Sequence, residues 1–249
     1  MNSPHRILLL DIETTPSLAY IWSCFQEGIP FKMVKDEGAI LMWAAKWLDE
    51  REVKHMTKRE GEKKCLKGLW DLMDESDVVI AHNGDNFDIK TMNGYFIKNG
   101  FAPPSSFRSV DTLKIARSRF KFLSNKLDSL GETLGLGRKV SHSGFKLWAG
   151  CMAGNKNDWA TMIRYNIQDV KLLEKVYKKF LPWIKNHPNM GTFLDPNTPV
   201  CRNCGSKRVH KKGMEFTNGG IYQRYKCSSC GAPLRGKMNQ LKRNPNVLT

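Results

Sequence analysis

Apolar runs alternate with amphipathic segments along the first 190 residues of the chain. Nearly uninterrupted apolar runs predict buried strands at residues 5–10, 39–48 and 77–81. Two further strands are predicted at residues 19–25 and 52–56. Because most of these strands follow one another with little sequence between them, we expect the early ones to form a meander.

After the first strands, most predicted elements show helical periodicity. Apolar residues recur every three or four positions over residues 60–75 and 158–184, which predicts two amphipathic helices. Shorter helices are predicted at residues 86–98, 111–120 and 127–134. Strands interleaved with helices in this order predict an α/β fold with a mixed sheet.

Three of these segments carry carboxylates where a site would form. Asp11 and Glu13 stand two residues apart at the end of the first buried strand, so both side chains point the same way. Asp88 falls in the first turn of a predicted helix, and Tyr165 and Asp169 are i,i+4 neighbours on another. Ligand sites of α/β sheets lie at the carboxyl ends of strands, which favours a shared site.

Each of these residues also has an ordinary structural interpretation. Asp11 suits a strand-end carboxylate, and Tyr165 suits core packing. Asp88 suits the N-terminus of a helix, where the macrodipole favours negative charge. The functional interpretation depends on all three segments occurring together.

Taken together, the segments resemble the three motifs of the DEDD superfamily, the 3′–5′ exonucleases with a ribonuclease H-like fold. The matching residues are Asp11 and Glu13 for D-x-E; Asn83, Phe87 and Asp88 for N-x3-F-D; and Tyr165 and Asp169 for Y-x3-D. The segments DIET, NGDNFDI and YNIQD are especially similar to the proofreading domains of family B DNA polymerases. The resemblance covers about residues 7–184.

The motif spacing also decides between neighbouring candidates. Tyrosine in the third motif indicates the DEDDy branch, because the DEDDh branch would have histidine where this chain has Arg164. Asp85 is a rival to Asp88, but the spacing from Asn83 and Phe87 favours Asp88.

The resemblance implies a five-stranded mixed sheet flanked by helices and a metal-dependent 3′–5′ exonuclease that releases nucleoside 5′-monophosphates. Two Mg²⁺ or Mn²⁺ ions would neutralise the clustered carboxylates and activate a water. By resemblance, Asp11 bridges both ions, Glu13 and Asp169 complete one site, and Asp88 serves the other. Tyr165 would orient the attacking water, since an ordinary tyrosine pKa of about 10 makes it a poor base near neutral pH.

Other residues near the motifs are candidates for holding the substrate. Those predicted to contact nucleic acid are Thr14, Asn83, Phe87 and Lys146. Trp148, close to Phe145 and Lys146, is as well suited to a core position as to a strand contact. His82 and His142 are interpreted as structural residues or substrate contacts rather than metal ligands.

Four of the seven cysteines form two C-x2-C pairs, Cys201 with Cys204 and Cys227 with Cys230. Each pair is followed by glycine, which supplies the tight turn of a zinc knuckle. The spacing predicts one tetrahedral four-thiolate zinc site. An iron–sulfur cluster and a redox dithiol pair are the alternatives.

The same region holds most of the positive charge. The chain carries a formal net charge of +16, and residues 198–249 alone have eleven basic residues against one acid, Glu215. These basic residues are Arg202, Lys207, Arg208, Lys211, Lys212, Arg224, Lys226, Arg235, Lys237, Lys242 and Arg243. Such a surplus favours nucleic acid as partner, although a merely solvated basic face is the alternative.

Alternation in IYQRYKC predicts a strand with one aromatic residue and two cations on a single face. Such a face suits base stacking and phosphate contact. The residues of this region predicted to bind nucleic acid are Lys207, Arg208, Lys211, Lys212, Tyr222, Arg224 and Lys226.

These patterns predict an exonuclease domain at residues 1–187, a Pro- and Asn-containing linker at 188–199 and a basic zinc ribbon at 200–249. No apolar run is long enough for a membrane span, and the N-terminus does not read as a secretory signal. We therefore expect a cytoplasmic protein, near the nucleoid, that binds DNA in preference to RNA. A replication or repair protein is expected as partner of the ribbon.

Two other functions fit the same patterns. One is a nucleic-acid-binding zinc-ribbon adaptor whose nuclease-like domain is inactive. The other is a structure-specific nuclease of the same fold.

Overall fold

A computed structural model describes residues 5–192, 194 and 198–241. The chain divides into two units, and the division falls between Tyr177 and Lys178, within its longest helix. Among the described residues, no helix combines the length and the apolar character that crossing a membrane requires.

A five-stranded mixed sheet forms the centre of the first unit. The strands of this unit are β1 (Ile7–Thr14), β2 (Leu18–Ala19), β3 (Val34–Asp36), β4 (Ile40–Trp47), β5 (Lys54–Thr57), β6 (Val78–Ala81) and β7 (Arg108–Asp111). The sheet order is β5–β4–β1–β6–β7, with β2 and β3 as a separate pair. β1, β4 and β5 form the antiparallel meander, while β6 and β7 extend it in parallel. The predicted α/β fold with a mixed five-stranded sheet is therefore confirmed.

Helices cover both faces of this sheet. They are α1 (Glu62–Asp74), α2 (Asp88–Lys98), α3 (Thr112–Arg119), α4 (Leu127–Thr133), α5 (Phe145–Met152) and α6 (Lys156–Phe180). Leu8, Leu10 and Ile12 of β1 join the core cluster that contains the apolar side chains of α1 and α2. Because side chains alternate along a strand, Asp11 and Glu13 point to the opposite face of the sheet. That face carries a second cluster, in which β4 packs against residues of α5 and α6.

Lys46, next to the last residue of buried β4, is the one charged residue of this strand. Its ammonium group forms a buried ion pair with Glu174 of α6. The other carboxylate oxygen of Glu174 accepts a 3.1 Å hydrogen bond from the backbone N–H of Asp49. The pair compensates for the burial of both charges and ties the sheet to α6.

Several predicted elements differ from the structure. Of the predicted strand 19–25 only Ala19 pairs with β3, together with Leu18 before it, while Trp22 and Phe25 are each 94% exposed. β7 was not predicted, because its first two residues are polar and the strand is only four residues long. The helix expected to reach residue 184 ends at Phe180, since Pro182 lacks the N–H that a continuing helix needs.

The second unit contains a three-stranded antiparallel sheet, formed by β8 (Val209–Thr217), β9 (Gly220–Cys227) and β10 (Pro233–Asn239). The order of the strands in this sheet is β10–β9–β8. The IYQRYKC segment lies in β9, as predicted. Part of the predicted linker, residues 193 and 195–197, lies outside the described residues, as do Lys242 and Arg243 of the basic tail.

Candidate active site and zinc site

The structure brings together three of the four predicted carboxylates as a possible set of metal ligands. One oxygen each of Asp11, Glu13 and Asp169 lies within 4.8 Å of the others. Asp11 and Glu13 come from the same face of β1, and Asp169 from α6, which packs over that face. Asp169 thus lies at the end of β1, although it follows Glu13 by 156 positions in the sequence.

Asp88 joins the site from the other side of β1. It is buried in the first turn of α2, and its Oδ1 accepts a 3.2 Å hydrogen bond from the backbone N–H of Ile12. This bond anchors the second motif directly between the two acids of the first motif. Repulsion from Asp88 also raises the pKa of Asp11.

Crowding and burial raise the pKa of every carboxyl group in this cluster. Burial is the largest cause for Asp11, followed by repulsion from Asp88 and Glu13. Burial and the charge of Asp169 raise the pKa of Glu13 from 4.5 to about 8. Burial raises the pKa of Asp88 to about 7. Bringing a cation into such a cluster relieves the repulsion, which makes the site electrostatically suited to one.

Lys139 is a site residue that sequence reasoning missed. Its ammonium group pairs with Oδ2 of Asp169 and donates a 3.2 Å hydrogen bond to the hydroxyl of Tyr165. The lysine follows α4 in a glycine-containing loop, and nothing in its sequence surroundings marks it as part of the site. It places a positive charge directly beside Asp169.

The donor set fits a hard divalent cation. Oδ1 of Asp169 is buried and has no hydrogen-bond partner among the described residues. A buried carboxylate oxygen without a partner is costly unless a cation or water satisfies it. Oxygen ligands alone are the set that magnesium-type cations prefer.

Asn166 is the second residue that sequence reasoning missed. It is fully buried on α6, and its Nδ2 donates a 2.6 Å hydrogen bond to Oδ2 of Asp11. A usable signal was present, because Asn166 precedes Asp169 by three residues and therefore lies on a neighbouring position of the same helix surface.

Tyr165 lies at the edge of the cluster among aromatic rings. His142 meets it edge to face at 4.7 Å between ring centroids, and Trp148 does so at 6.2 Å. Burial and the charge of Asp169 raise the pKa of Tyr165 above its ordinary value. Its hydroxyl therefore stays protonated near neutral pH, as a hydrogen-bonding group rather than a base.

The turn before α2 is held by Asp111 at the end of β7. Oδ1 of Asp111 accepts hydrogen bonds from the N–H groups of Asn83, at 3.0 Å, and Leu113, at 2.9 Å. Asn83 adopts a positive φ of 69°, a conformation that asparagine tolerates better than most residues. Asp85 faces away and pairs with Lys114 at 2.7 Å, so Asp88, and not Asp85, reaches the cluster.

The ring of His82 is held by contacts within the protein. Its ring nitrogens lie 2.9 Å from the hydroxyl of Thr112 and 3.0 Å from the carbonyl of Asn125. Burial lowers the pKa of His82 to about 4. Both nitrogens are engaged within the protein, so the ring is not placed to bind a metal.

The residues predicted to contact substrate differ in their exposure to solvent. Thr14 ends β1, directly after Glu13. Phe87 precedes α2 and is 42% exposed, and Lys146 is exposed in the first turn of α5. All three remain predictions as nucleic-acid contacts.

The four cysteines of the second unit form a compact thiol cluster. Their sulfur atoms lie within 4.8 Å of one another, with 3.6 Å between Cys201 and Cys230 and between Cys204 and Cys227. Four sulfurs at about 2.3 Å from a tetrahedral zinc ion would stand about 3.8 Å apart. Gly205 and Gly231, which follow the pairs, have φ of 71° and 79°, so the predicted knuckle turns are present. The cluster is compatible with one zinc ion.

Comparison with known proteins agrees with the fold. A sequence profile of the RNase H superfamily matches residues 8–181. The chain belongs to the RNase H superfamily. The matched segment includes all four clustered carboxylates, Tyr165 and both missed residues, Lys139 and Asn166.

Two relatives are DNA polymerases. The chain is 36% identical over 69 residues to a PolC-type DNA polymerase III of Ureaplasma parvum serovar 3, which is 28% of this chain and 5% of that protein. It also resembles the structure of the family B DNA polymerase of the archaeon Pyrobaculum calidifontis, with a TM-score of 0.54 and 20% identity over 72% of this chain and 25% of that one. The second likeness shows the fold alone, and the chain spans a small part of either polymerase.

Proposed function

We propose that this protein is a metal-dependent 3′–5′ exonuclease that hydrolyses DNA and releases nucleoside 5′-monophosphates. The observation that carries the proposal is the meeting of Asp11, Glu13 and Asp169 within 4.8 Å, with Asp88 tied to the same strand. Membership of a nuclease-like superfamily supports hydrolysis of phosphodiester bonds. The name of the PolC-type relative supports DNA as the nucleic acid.

In this proposal the carboxylates would hold two divalent ions. Asp11, Glu13 and Asp169 would be the ligands of one ion, and Asp11 with Asp88 those of the other. When bound, a pair of Mg²⁺ or Mn²⁺ ions supplies a hydroxide-like nucleophile and stabilises the leaving 3′ oxygen. The raised pKa values of Glu13 and Asp88 imply that binding these ions displaces protons from the cluster.

In this proposal, Tyr165 orients the attacking water. Its hydroxyl stays protonated, because its pKa is raised, and it can donate one hydrogen bond while accepting one from Lys139. A neutral phenol of this kind can position the attacking water but does not remove its proton. The DEDDy pattern of the third motif supports the 3′ end as the site of cleavage.

A digestion series tests the activity and its direction. Single-stranded DNA labelled at the 3′ end is expected to release labelled mononucleotide at once, whereas 5′-labelled DNA shortens stepwise. Asp11→Ala should lower release by at least about a thousandfold, since both ions lose a ligand. Asp85→Ala removes a nearby carboxylate outside the cluster and should retain most activity. Full activity of Asp11→Ala, or release of the 5′ label first, would contradict the proposal.

The Lys139–Asp169 ion pair favours one competing function, a nucleic-acid adaptor whose nuclease-like domain is inactive. A resident ammonium group could keep divalent cations out of the cluster. Retention of DNA without nucleotide release, in both Mg²⁺ and Mn²⁺, would favour this adaptor. Release that depends on either ion would exclude it.

A further inference from the structure

A groove of about 1670 Å³ lies within the second unit. One wall is formed by β9 and β10 of the small sheet, and the other by described residues between Pro182 and Asn203. Within the second wall, the Nδ2 of buried Asn203 donates to the carbonyls of Leu181 at 2.8 Å and Ile184 at 3.1 Å. The groove is therefore part of a hydrogen-bonded structure beside the first zinc knuckle.

The described side chains that line the groove give it a positive charge. The described residues that line it include five basic side chains and no acidic one: Lys185, Arg202, Lys226, Arg235 and Lys237. Glu215 lies outside this lining and pairs with Arg235 at 3.2 Å, on an exposed face. A concave surface with this charge attracts anions and concentrates their field.

Aromatic rings alternate with these cations. Trp183, Tyr222 and Tyr225 line the groove, and Trp183 is 61% exposed. The guanidinium of Arg235 lies 4.6 Å from the ring centroid of Tyr222, so a cation and a stacking surface are held side by side. Arg224, predicted to share this face, is not among the described lining residues, and the strand register shifts on both sides of β9 near it.

We propose that this groove binds a single strand of DNA, with bases stacked on Tyr222 and its aromatic neighbours and phosphates contacted by Lys226, Arg235 and Lys237. Rings and cations in one groove recognise unpaired bases together with their backbone, whereas a duplex hides the faces of its bases. The choice of DNA rests on the proposed function. The groove would hold the strand independently of its cleavage in the first unit.

Binding is tested in the full-length Asp11→Ala chain, so that DNA is not consumed. Fluorescence anisotropy with a labelled single strand is measured over a range of salt concentrations. Lys226→Gln combined with Lys237→Gln should weaken binding about tenfold near 0.1 M salt and lower the salt slope by about 1.4, since each phosphate contact contributes about 0.7 for a single strand. Lys63→Gln with Lys64→Gln removes equal charge from exposed positions of α1, outside the groove, and should change affinity less than about twofold.

A second pair of variants tests stacking. Tyr222→Leu should weaken binding by about tenfold or more, because a base loses its aromatic partner, while Tyr222→Phe should bind as the parent does. Zinc content of one ion per chain, together with an unchanged melting profile, establishes that each variant retains its fold. Loss of binding in Tyr222→Phe as well as Tyr222→Leu would contradict a stacking role.

Three further results would overturn the groove proposal. They are equal weakening by the two lysine pairs, tighter binding of a blunt duplex than of the single strand, and losses confined to single-stranded RNA of the same sequence. Nucleotide release is measured separately in the chain with Asp11 intact. Absence of release with groove-dependent binding would defeat the exonuclease proposal alone, whereas release with groove-independent binding would defeat the groove alone.

Discussion

The side-chain amide of Asn166 donates a 2.6 Å hydrogen bond to Oδ2 of Asp11, joining residues that are 155 positions apart in sequence. The bond is partly buried and limits which oxygens of Asp11 remain available to a metal. A charge-assisted hydrogen bond of this kind both orients the carboxylate and stabilises its ionised form.

Asn166→Ala is expected to lower nucleotide release by about 10–100-fold, the usual effect of removing a group that orients a metal ligand. The loss should be partly recovered at high Mg²⁺ concentration, because the defect lies in ligand placement. Rates measured across a Mg²⁺ titration check this. Asn157→Ala, an exposed position on the same helix, is the matched control, and an equal loss there would exclude a role for the Asp11 contact.

Lys139 is expected to compete with the divalent cation for Asp169. Lys139→Met should make the ion-free protein less stable by about 1–2 kcal/mol, because Asp169 loses the partner of a partly buried pair. The same variant should gain more stability than the parent when Mg²⁺ or Mn²⁺ is added. Thermal melts with and without the ion measure both effects.

The adjacent exposed pair provides the control for this variant. Arg138 pairs with Glu132 at the surface, so Arg138→Met should change the melting temperature little. A stabilisation by Mg²⁺ that is the same in Lys139→Met and the parent would show that the lysine does not compete for the site.

The protonation of Glu13 makes stability depend on pH. Its pKa is 4.5 ordinarily and about 8 in the folded protein, chiefly because of burial. The folded state thus holds a proton that the unfolded chain has lost, and the ion-free protein should become less stable as pH rises from about 4.5 to 8. We expect Glu13→Gln to reduce this loss by about 2 kcal/mol, or roughly 4–8 °C in melting temperature.

Melting temperatures between pH 5 and pH 8 in metal-free buffer check this dependence. Adding Mg²⁺ should stabilise the parent more at pH 8 than at pH 6, because ions and protons compete for the same carboxylates. Parallel curves for the parent and Glu13→Gln would contradict the raised pKa of this group.

The zinc cluster is expected to decide whether the second unit folds. Binding of structural zinc is worth about 10–16 kcal/mol in small zinc domains, more than a short three-stranded sheet can replace. Cys227→Ser should therefore abolish zinc retention and increase proteolysis after residue 198, while the first unit keeps its melting transition. Cys24→Ser, at an exposed position far from the cluster in sequence, should retain zinc. Full zinc retention in Cys227→Ser would contradict a four-thiolate site.

Local sequence patterns were sufficient to predict a strand or a cysteine knuckle when the residues of that one segment showed a clear pattern. The apolar runs of β1, β4 and β6 are buried on both faces, so their composition alone distinguishes them from loops. The repeated spacing of the cysteine pairs likewise places two thiols of each knuckle side by side. By contrast, the aromatic residues after β2 suggested a longer strand, but they remain exposed because no neighbouring strand pairs with them.

The sequence by itself determined the α/β class, the motif carboxylates and the cysteine pairs, because strand alternation and helix periodicity set which side chains share a face. Only the tertiary structure revealed that Lys139 reaches Asp169, that Asn166 holds Asp11, and that β9 and β10 form a groove with described residues between Pro182 and Asn203. These relationships join residues far apart in the chain. No local period encodes them, because they arise from packing of a loop, a helix and a sheet against one another.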